Sequence, residues 1–316
     1  MTEVPVTTEQ EPLEFAAASR TQFQMTWSRF RQHKMAMVSM FVLAILYLSA
    51  IFAPLIAPYD PDTGCPSHVK KHCAALNSEV LADSRQPPSR HHPMGTDHLG
   101  RDELSRVLYG GRISLAVGLA VAIVAGLVGT AVGAVAGYYG GWIDSLLMRI
   151  TELFLIVPAL LILLVISTLL GGSVFDIILA ISLLAWMPLA RIVRGVFLSV
   201  KEKEFIEAAR ASGAKSSRII WRHMLPNTVG PIIVYATLGV AAAILTESVL
   251  SFLGFGIKPP TSTWGNMIFE GKDAMITQPW LMLFPGLMIF LTVLSVNFLG
   301  DGLRDALDPT GQRIRA

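Results

Sequence analysis

Few residues of this chain could do chemistry. Two cysteines (Cys65, Cys73), seven histidines (His33, His68, His72, His91, His92, His98, His223) and one acidic residue in a long apolar run, Glu247, are the candidates. His68, His72, His91 and His92 lie near the cysteines and invite a metal reading. They are not in an established ligand spacing, and surface histidines are common, so no metal site is expected. There is no H-E-x-x-H, and every histidine lies outside the charge-free apolar runs, which leaves metal-assisted hydrolysis without ligands. The chain also lacks G-x-x-x-x-G-K-[ST], so nothing in it should cradle a nucleotide phosphate. No catalytic residue and no bound cofactor are therefore expected.

The elements that must position these residues follow from composition. Of 316 residues, 53% are hydrophobic and 15% charged, well under the quarter or so typical of soluble domains. Such a chain is neither an ordinary soluble domain nor disordered, and its net charge of +2 does not suggest a nucleic-acid partner. A bilayer core needs about 20 apolar helical residues. Met35–Ala57, Ile113–Ile143, Leu153–Phe175, Ile177–Ala190, Met224–Thr246 and Ala274–Gly300 are free of Asp, Glu, Lys and Arg. The fourth is short, but its apolar pattern continues through Phe197 and Leu198. Six transmembrane helices are expected in an all-α polytopic membrane protein. The first follows a long polar stretch and lacks a good cleavage context, so it reads as a retained anchor.

Orientation follows from Lys and Arg placement. With the N-terminus inside, 16 of the 25 cations fall on cytoplasmic segments, and seven of the other nine lie in one long outer segment where the rule is weak. Both termini are expected in the cytoplasm. The divisions are then a 1–34 tail, a first helix at 35–57, an outer segment at 58–112, a five-helix core at 113–301 and a 302–316 tail. The core includes an inner loop at 199–226 and an outer loop at 256–280.

The inner loop reads KEKEFIEAARASGAKSSRIIWRHMLPN from Lys201. Phe205, Ala208, Ala209 and Ser212 share a helical face, Lys203 and Glu207 can pair at i,i+4, and Gly213 can supply a left-handed stop. A second helix begins at Ser216 or Ser217 and runs to Pro226. On periodicity alone this is a surface helix filling a loop. The spacing Glu207-Ala208-Ala209, three residues, Gly213, then Leu225-Pro226 resembles the EAA loop of integral-membrane permeases of ABC importers, departing from it at His223. That resemblance implies a coupling helix that docks on an ATPase.

The outer segment from His92 reads HPMGTDHLGRDELSRVLYGGRISLAVG. Leu104, Val107 and Leu108 form an apolar stripe, Asp102 and Arg106 can pair, and Gly110-Gly111 is expected to end a helix lying flat on the outer face. The block from Gly95-Thr96-Asp97 to Arg112-Ile113-Ser114-Leu115 resembles the entry segment of C-type permease subunits of dipeptide, oligopeptide and nickel ABC importers. Trp27 to Pro61 resembles the extra first helix of that subfamily. Cys65 and Cys73 both fall outside the membrane on this reading, where an oxidising setting and short spacing favour a disulfide.

Within the spans, Gly129, Gly133 and Gly137 recur every fourth residue, with Ala122 and Gly126 on a neighbouring track. Small residues at this spacing permit close helix packing. Pro158, Pro188 and Pro285 are expected to kink their helices, as static bends or hinges. Glu247 should face protein or water, because a carboxylate at membrane depth is costly. It has a structural partner, contributes to the translocation path, or lies at the interface.

The resemblance implies a type I ABC importer permease fold in a bacterial cytoplasmic (inner) membrane, and a non-catalytic permease subunit for peptides. Its implied partners are a second, B-type permease, two ABC ATPase subunits or domains that use ATP and Mg, and an extracytoplasmic substrate-binding protein. A nickel or other small-solute importer is the alternative within the family. An ion-coupled secondary transporter is the alternative outside it, although only Glu247 offers an acidic group within the spans.

Overall fold

A computed structural model describes residues 22–63 and 84–307. Those residues are mostly helical and form no β-strand; an isolated antiparallel bridge joins Thr96 and Asp102. Cys65, Cys73, His68 and His72 lie outside the described residues, as do both chain ends.

In chain order the helices are α1 (Gln22–Gln32), α2 (Lys34–Ile51), α3 (Ala53–Ile56), α4 (Glu103–Tyr139), α5 (Gly141–Ile156), α6 (Ala159–Leu170), α7 (Val174–Lys201), α8 (Glu204–Ala211), α9 (Ser216–Ile219), α10 (Leu225–Phe252), α11 (Trp264–Gly271) and α12 (Trp280–Leu307). A π-helical turn, Ile220–Met224, joins α9 to α10. Five helical segments are long and apolar enough to cross a membrane, and α5 with α6 makes a sixth if that bent pair counts as one span. The end of the bundle holding residues 202–224 is termed the near face, and the opposite end the far face.

Three boundaries depart from the sequence expectation. The run expected as one span over Leu153–Phe175 is the α5–α6 pair, bent by 88°. Pro158 stands at that break, after Val157 in extended conformation, and its missing N–H and its crowding of the preceding residue end the helical ladder there. The helix expected to lie flat before Gly110 is instead about the first two turns of α4, which passes straight through Gly110-Gly111. These glycines give room to α11. A Cβ on Gly111 would stand 3.0 Å from the Trp264 ring, and one on Gly110 would stand 3.4 Å from Met267. Finally, part of the expected N-terminal tail is the helix α1, whose Phe30 is buried against Ala36 and Ala306.

The glycine track packs as its spacing implies. A Cβ on Gly129 would meet the Trp186 carbonyl at 2.7 Å, one on Gly133 would collide with the Ala190 carbonyl, and one on Gly137 would lie 2.6 Å from Phe197 Cβ. This track therefore seats α4 directly on α7. Gly126, on the other track, meets nothing within 4 Å. Pro188 and Pro285 lie inside the continuous helices α7 and α12.

On the far face the chain before α4 is held by charge. Asp102 caps α4, accepting from the Ser105 N–H at 2.8 Å, and its other oxygen is 2.9 Å from His92 Nδ1. The expected Asp102–Arg106 pair is therefore not formed. Arg106 reaches Asp97 and Glu270, each at 2.8 Å, and Arg101 contacts the same two carboxylates at 2.7 and 2.9 Å. The four side chains make a closed ring of alternating charge that is largely buried, so each ion retains a partner.

Candidate functional site

The 199–226 loop is built as a short rigid corner. Lys203 is extended, and its carbonyl accepts from Ile206 at 2.9 Å and Glu207 at 3.3 Å, which starts α8. Glu204 and Glu207 in the first turn suit the positive end of the helix dipole. The helix stops where Gly213 takes φ +77°, with Ala214 N–H bonding to the Ala209 carbonyl and Gly213 N–H to that of Arg210. This pairing is a Schellman stop, which favours glycine because a Cβ strains the left-handed conformation.

The buried face differs from the expected stripe. Ile206, Ile219 and Met224 are fully buried with Val193 and Phe197 of α7, and Ala209 packs partly against the same cluster. Phe205 is 45% exposed, and Ala208 and Ser212 are exposed beside it. Ile206 rather than Phe205 is the anchor because Ile206 and Ala209, three apart, share the inward side of α8. Lys203 is the cap residue, outside the helical turns, and does not pair with Glu207. Glu207 is exposed.

The second half of the loop does not end at Pro226. Residues Ser216 to Phe252 form one helical rod of 37 residues. Pro226 lacks an N–H and would crowd the carbonyl four residues back; the π turn at Ile220–Met224 absorbs this defect and lets the rod continue. Leu225 lies against the same apolar cluster as Ile206, while Pro226 is exposed. The expected residues thus occupy one corner in two roles: Glu207, Ala208 and Pro226 look outward, Ala209 and Leu225 look inward, and Gly213 makes the turn.

Two further contacts support the base of this corner. Lys201 Nζ donates to the Tyr138 carbonyl at 2.7 Å, and Arg194 grips Asp144 with two hydrogen bonds. Neither was apparent from sequence, because both join helices far apart in the chain. The outward surface combines an exposed aromatic ring, small residues, a carboxylate and the cations Arg210, Lys215, Arg218 and Arg222, with Trp221 71% exposed nearby. Such a surface offers protein recognition rather than bond-breaking chemistry.

Glu247 is fully buried in α10. Its Oε1 accepts from Ser251 Oγ at 2.7 Å, with Thr263 and Ser248 beside it. A cavity of about 240 Å³ lies deeper among α4, α6, α7 and α10, lined by Leu163, Pro188, Tyr235 and Thr246 among others. On the far face, Asp97, His98 and Glu270 offer atoms within 4.8 Å of one another that could hold a cation, but both carboxylates already bind guanidinium groups of the ion ring.

Comparison with known proteins agrees with this architecture. Residues 129–311 match the family described as binding-protein-dependent transport system inner membrane component, and residues 21–88 match the N-terminal TM domain of oligopeptide transport permease C. The chain is 40% identical over 281 residues to the oligopeptide transport system permease protein OppC of Bacillus subtilis, covering 89% of this chain and 87% of the relative. It is 42% identical over 291 residues to the dipeptide transport system permease protein DppC of the same organism, covering 92% and 86%. It is also 42% identical over 290 residues to the glutathione transport system permease protein GsiD of Escherichia coli, covering 92% and 91%. With its apolar helices, far-face entry segment and near-face EAA corner, the chain belongs to the family of inner membrane components of binding-protein-dependent transport systems.

Proposed function

We propose that this chain is the transmembrane permease subunit of an ATP-driven importer that moves peptides across the bacterial cytoplasmic membrane. The observation that carries the reading is the near-face corner: a helix anchored by Ile206 and stopped at Gly213, presenting Phe205, Glu207 and Ala208 outward. A rigid exposed helix fused through one turn to a membrane-spanning rod is suited to receive motion from a partner. The peptide class rests on relatives whose names specify oligopeptide, dipeptide and glutathione transport.

In this reading the bundle has six spans, α5 and α6 counting as one, with the near face and both termini in the cytoplasm. The partners are a B-type permease, two ABC ATPase subunits or domains and an extracytoplasmic substrate-binding protein. The chain itself is not an enzyme, and ATP and Mg are used by the ATPases. Closure of the ATPase pair displaces α8, the rod from Ser216 tilts with it, and access to the substrate path alternates between the two faces.

Glu207→Lys and Gly213→Asp test this. Both should leave the protein in the membrane while detaching the ATPase or uncoupling its hydrolysis from uptake. Normal uptake with full substrate-dependent ATPase activity in both variants overturns the coupling assignment.

A further inference from the structure

We propose that α11 is a strut joining the near-face rod to the far-face entry segment, and that Gly265, Glu247 and Glu270 are the positioning residues that hold it. The proposal rests on the importer reading above and adds to it the route by which the far face responds.

The strut is held along its length. At its first turn, a Cβ on Gly265 would stand 2.7 Å from Ser248 Cα and 2.8 Å from Ser251 Cβ, so α11 lies directly on the outer end of α10. Thr263 and Asn266 close a capping box there, and the buried Glu247, bonded to Ser251, sits beneath Thr263. In the same first turn, Trp264 donates its ring N–H to the Val107 carbonyl of α4 at 3.0 Å and its backbone N–H to Ser114 Oγ at 3.2 Å. Towards its end, Glu270 bonds Arg101 and Arg106 at 2.9 and 2.8 Å.

Each attachment resists sliding. The glycine contact leaves no space for a shifted register, and drawing Glu270 from the ring strands buried charge. Meanwhile α10 is the upper part of a rod that begins three residues beyond Gly213 and spans about 55 Å at 1.5 Å per residue. Displacement of the near-face corner must therefore carry Ser248 and Ser251 with it. Through Gly265 and Glu270, α11 delivers that displacement to Arg101, Arg106 and the first turns of α4.

The experiment uses the complete complex of both permeases, ATPases and binding protein in proteoliposomes. Glu270→Gln removes the charge but keeps the shape, and Gly265→Ala drives a methyl into α10. The readout is ATPase activity with binding protein loaded from a mixed dipeptide pool, divided by activity without it. Both variants should lower this ratio by about fivefold or more per assembled complex, with the unstimulated rate within about twofold of the parent. Glu270→Asp should recover part of the loss. A role in stability alone changes the yield of complex and leaves the ratio intact, which overturns the strut.

Hydrogen exchange on the unmodified complex keeps the test decisive if a variant does not assemble. Amides of residues 264–271 should change protection when a non-hydrolysable ATP analogue and Mg are added. A complex that imports normally but whose α11 exchange ignores nucleotide overturns the strut and leaves the importer reading standing. Failure of the unmodified chain to assemble with any ATPase overturns both.

Discussion

Asp144 and Arg194 lie 50 residues apart on different helices, and the guanidinium holds both carboxylate oxygens, Nε to Oδ1 at 2.5 Å and Nη2 to Oδ2 at 2.6 Å. The pair pins α5 to α7 close to the corner that carries α8. Asp144→Ala should destabilise the detergent-purified protein by about 1.5 to 3 kcal/mol, the usual range for hydrogen bonds to charged groups. Thermal unfolding followed by circular dichroism checks this. Arg194→Lys should recover little, because an ammonium cannot reproduce the two-pronged contact.

Gly133 and Gly126 are both glycines of α4, yet they should respond oppositely to substitution. A side chain at Gly133 meets the Ala190 carbonyl and Val193, whereas a methyl at Gly126 meets nothing within 4 Å. Gly133→Val should cost at least about 1 to 3 kcal/mol through overpacking, and Gly126→Ala should be neutral or slightly stabilising. Melting temperatures of the two variants decide it; equal effects would contradict the packing.

Phe205 separates folding from partner binding. Its ring is nearly half exposed and Ile206 does the anchoring. Phe205→Ser should change stability by no more than about 0.5 kcal/mol. Its affinity for the ATPase should drop by about 5-fold or more, as expected when an interface aromatic is lost. Pull-down against ATPase concentration measures this, and unchanged binding would remove Phe205 from the docking surface.

The two cysteines offer a covalent test. Digestion of the non-reduced protein, followed by mass spectrometry, should find Cys65 and Cys73 in one linked peptide pair that separates after reduction. Two free thiols in protein taken from an oxidising compartment would end the disulfide proposal.

Elements whose signal lies in consecutive residues were legible in the sequence. Charge-free runs revealed the apolar helices, and the spacing from Glu207 to Gly213 revealed the corner. Glycine was ambiguous, because the same residue can stop a helix or admit a neighbour. At Gly213 it turns the chain with positive φ, while at Gly110-Gly111 it accommodates the Trp264 side of α11. Helical spacing pointed to the Phe205 side of α8, whereas Ile206 faces inward; the two are adjacent and both apolar, so spacing favoured the wrong one. The ion ring was out of reach, because local spacing suggested Asp102 for Arg106, whereas its actual partners include Glu270 from another segment.

That ring also orders the birth of the molecule. Arg101 precedes Glu270 by 169 residues. At about 5 to 20 residues per second, its last carboxylate is made roughly 10 to 30 seconds after its arginines. During that interval Asp97 alone faces two guanidiniums, so the ring stays open until Glu270 has been made. A chain truncated before Glu270 would leave two arginines sharing the single Asp97 carboxylate where a finished one has two, a chemical mark of incompleteness open to a protease or chaperone.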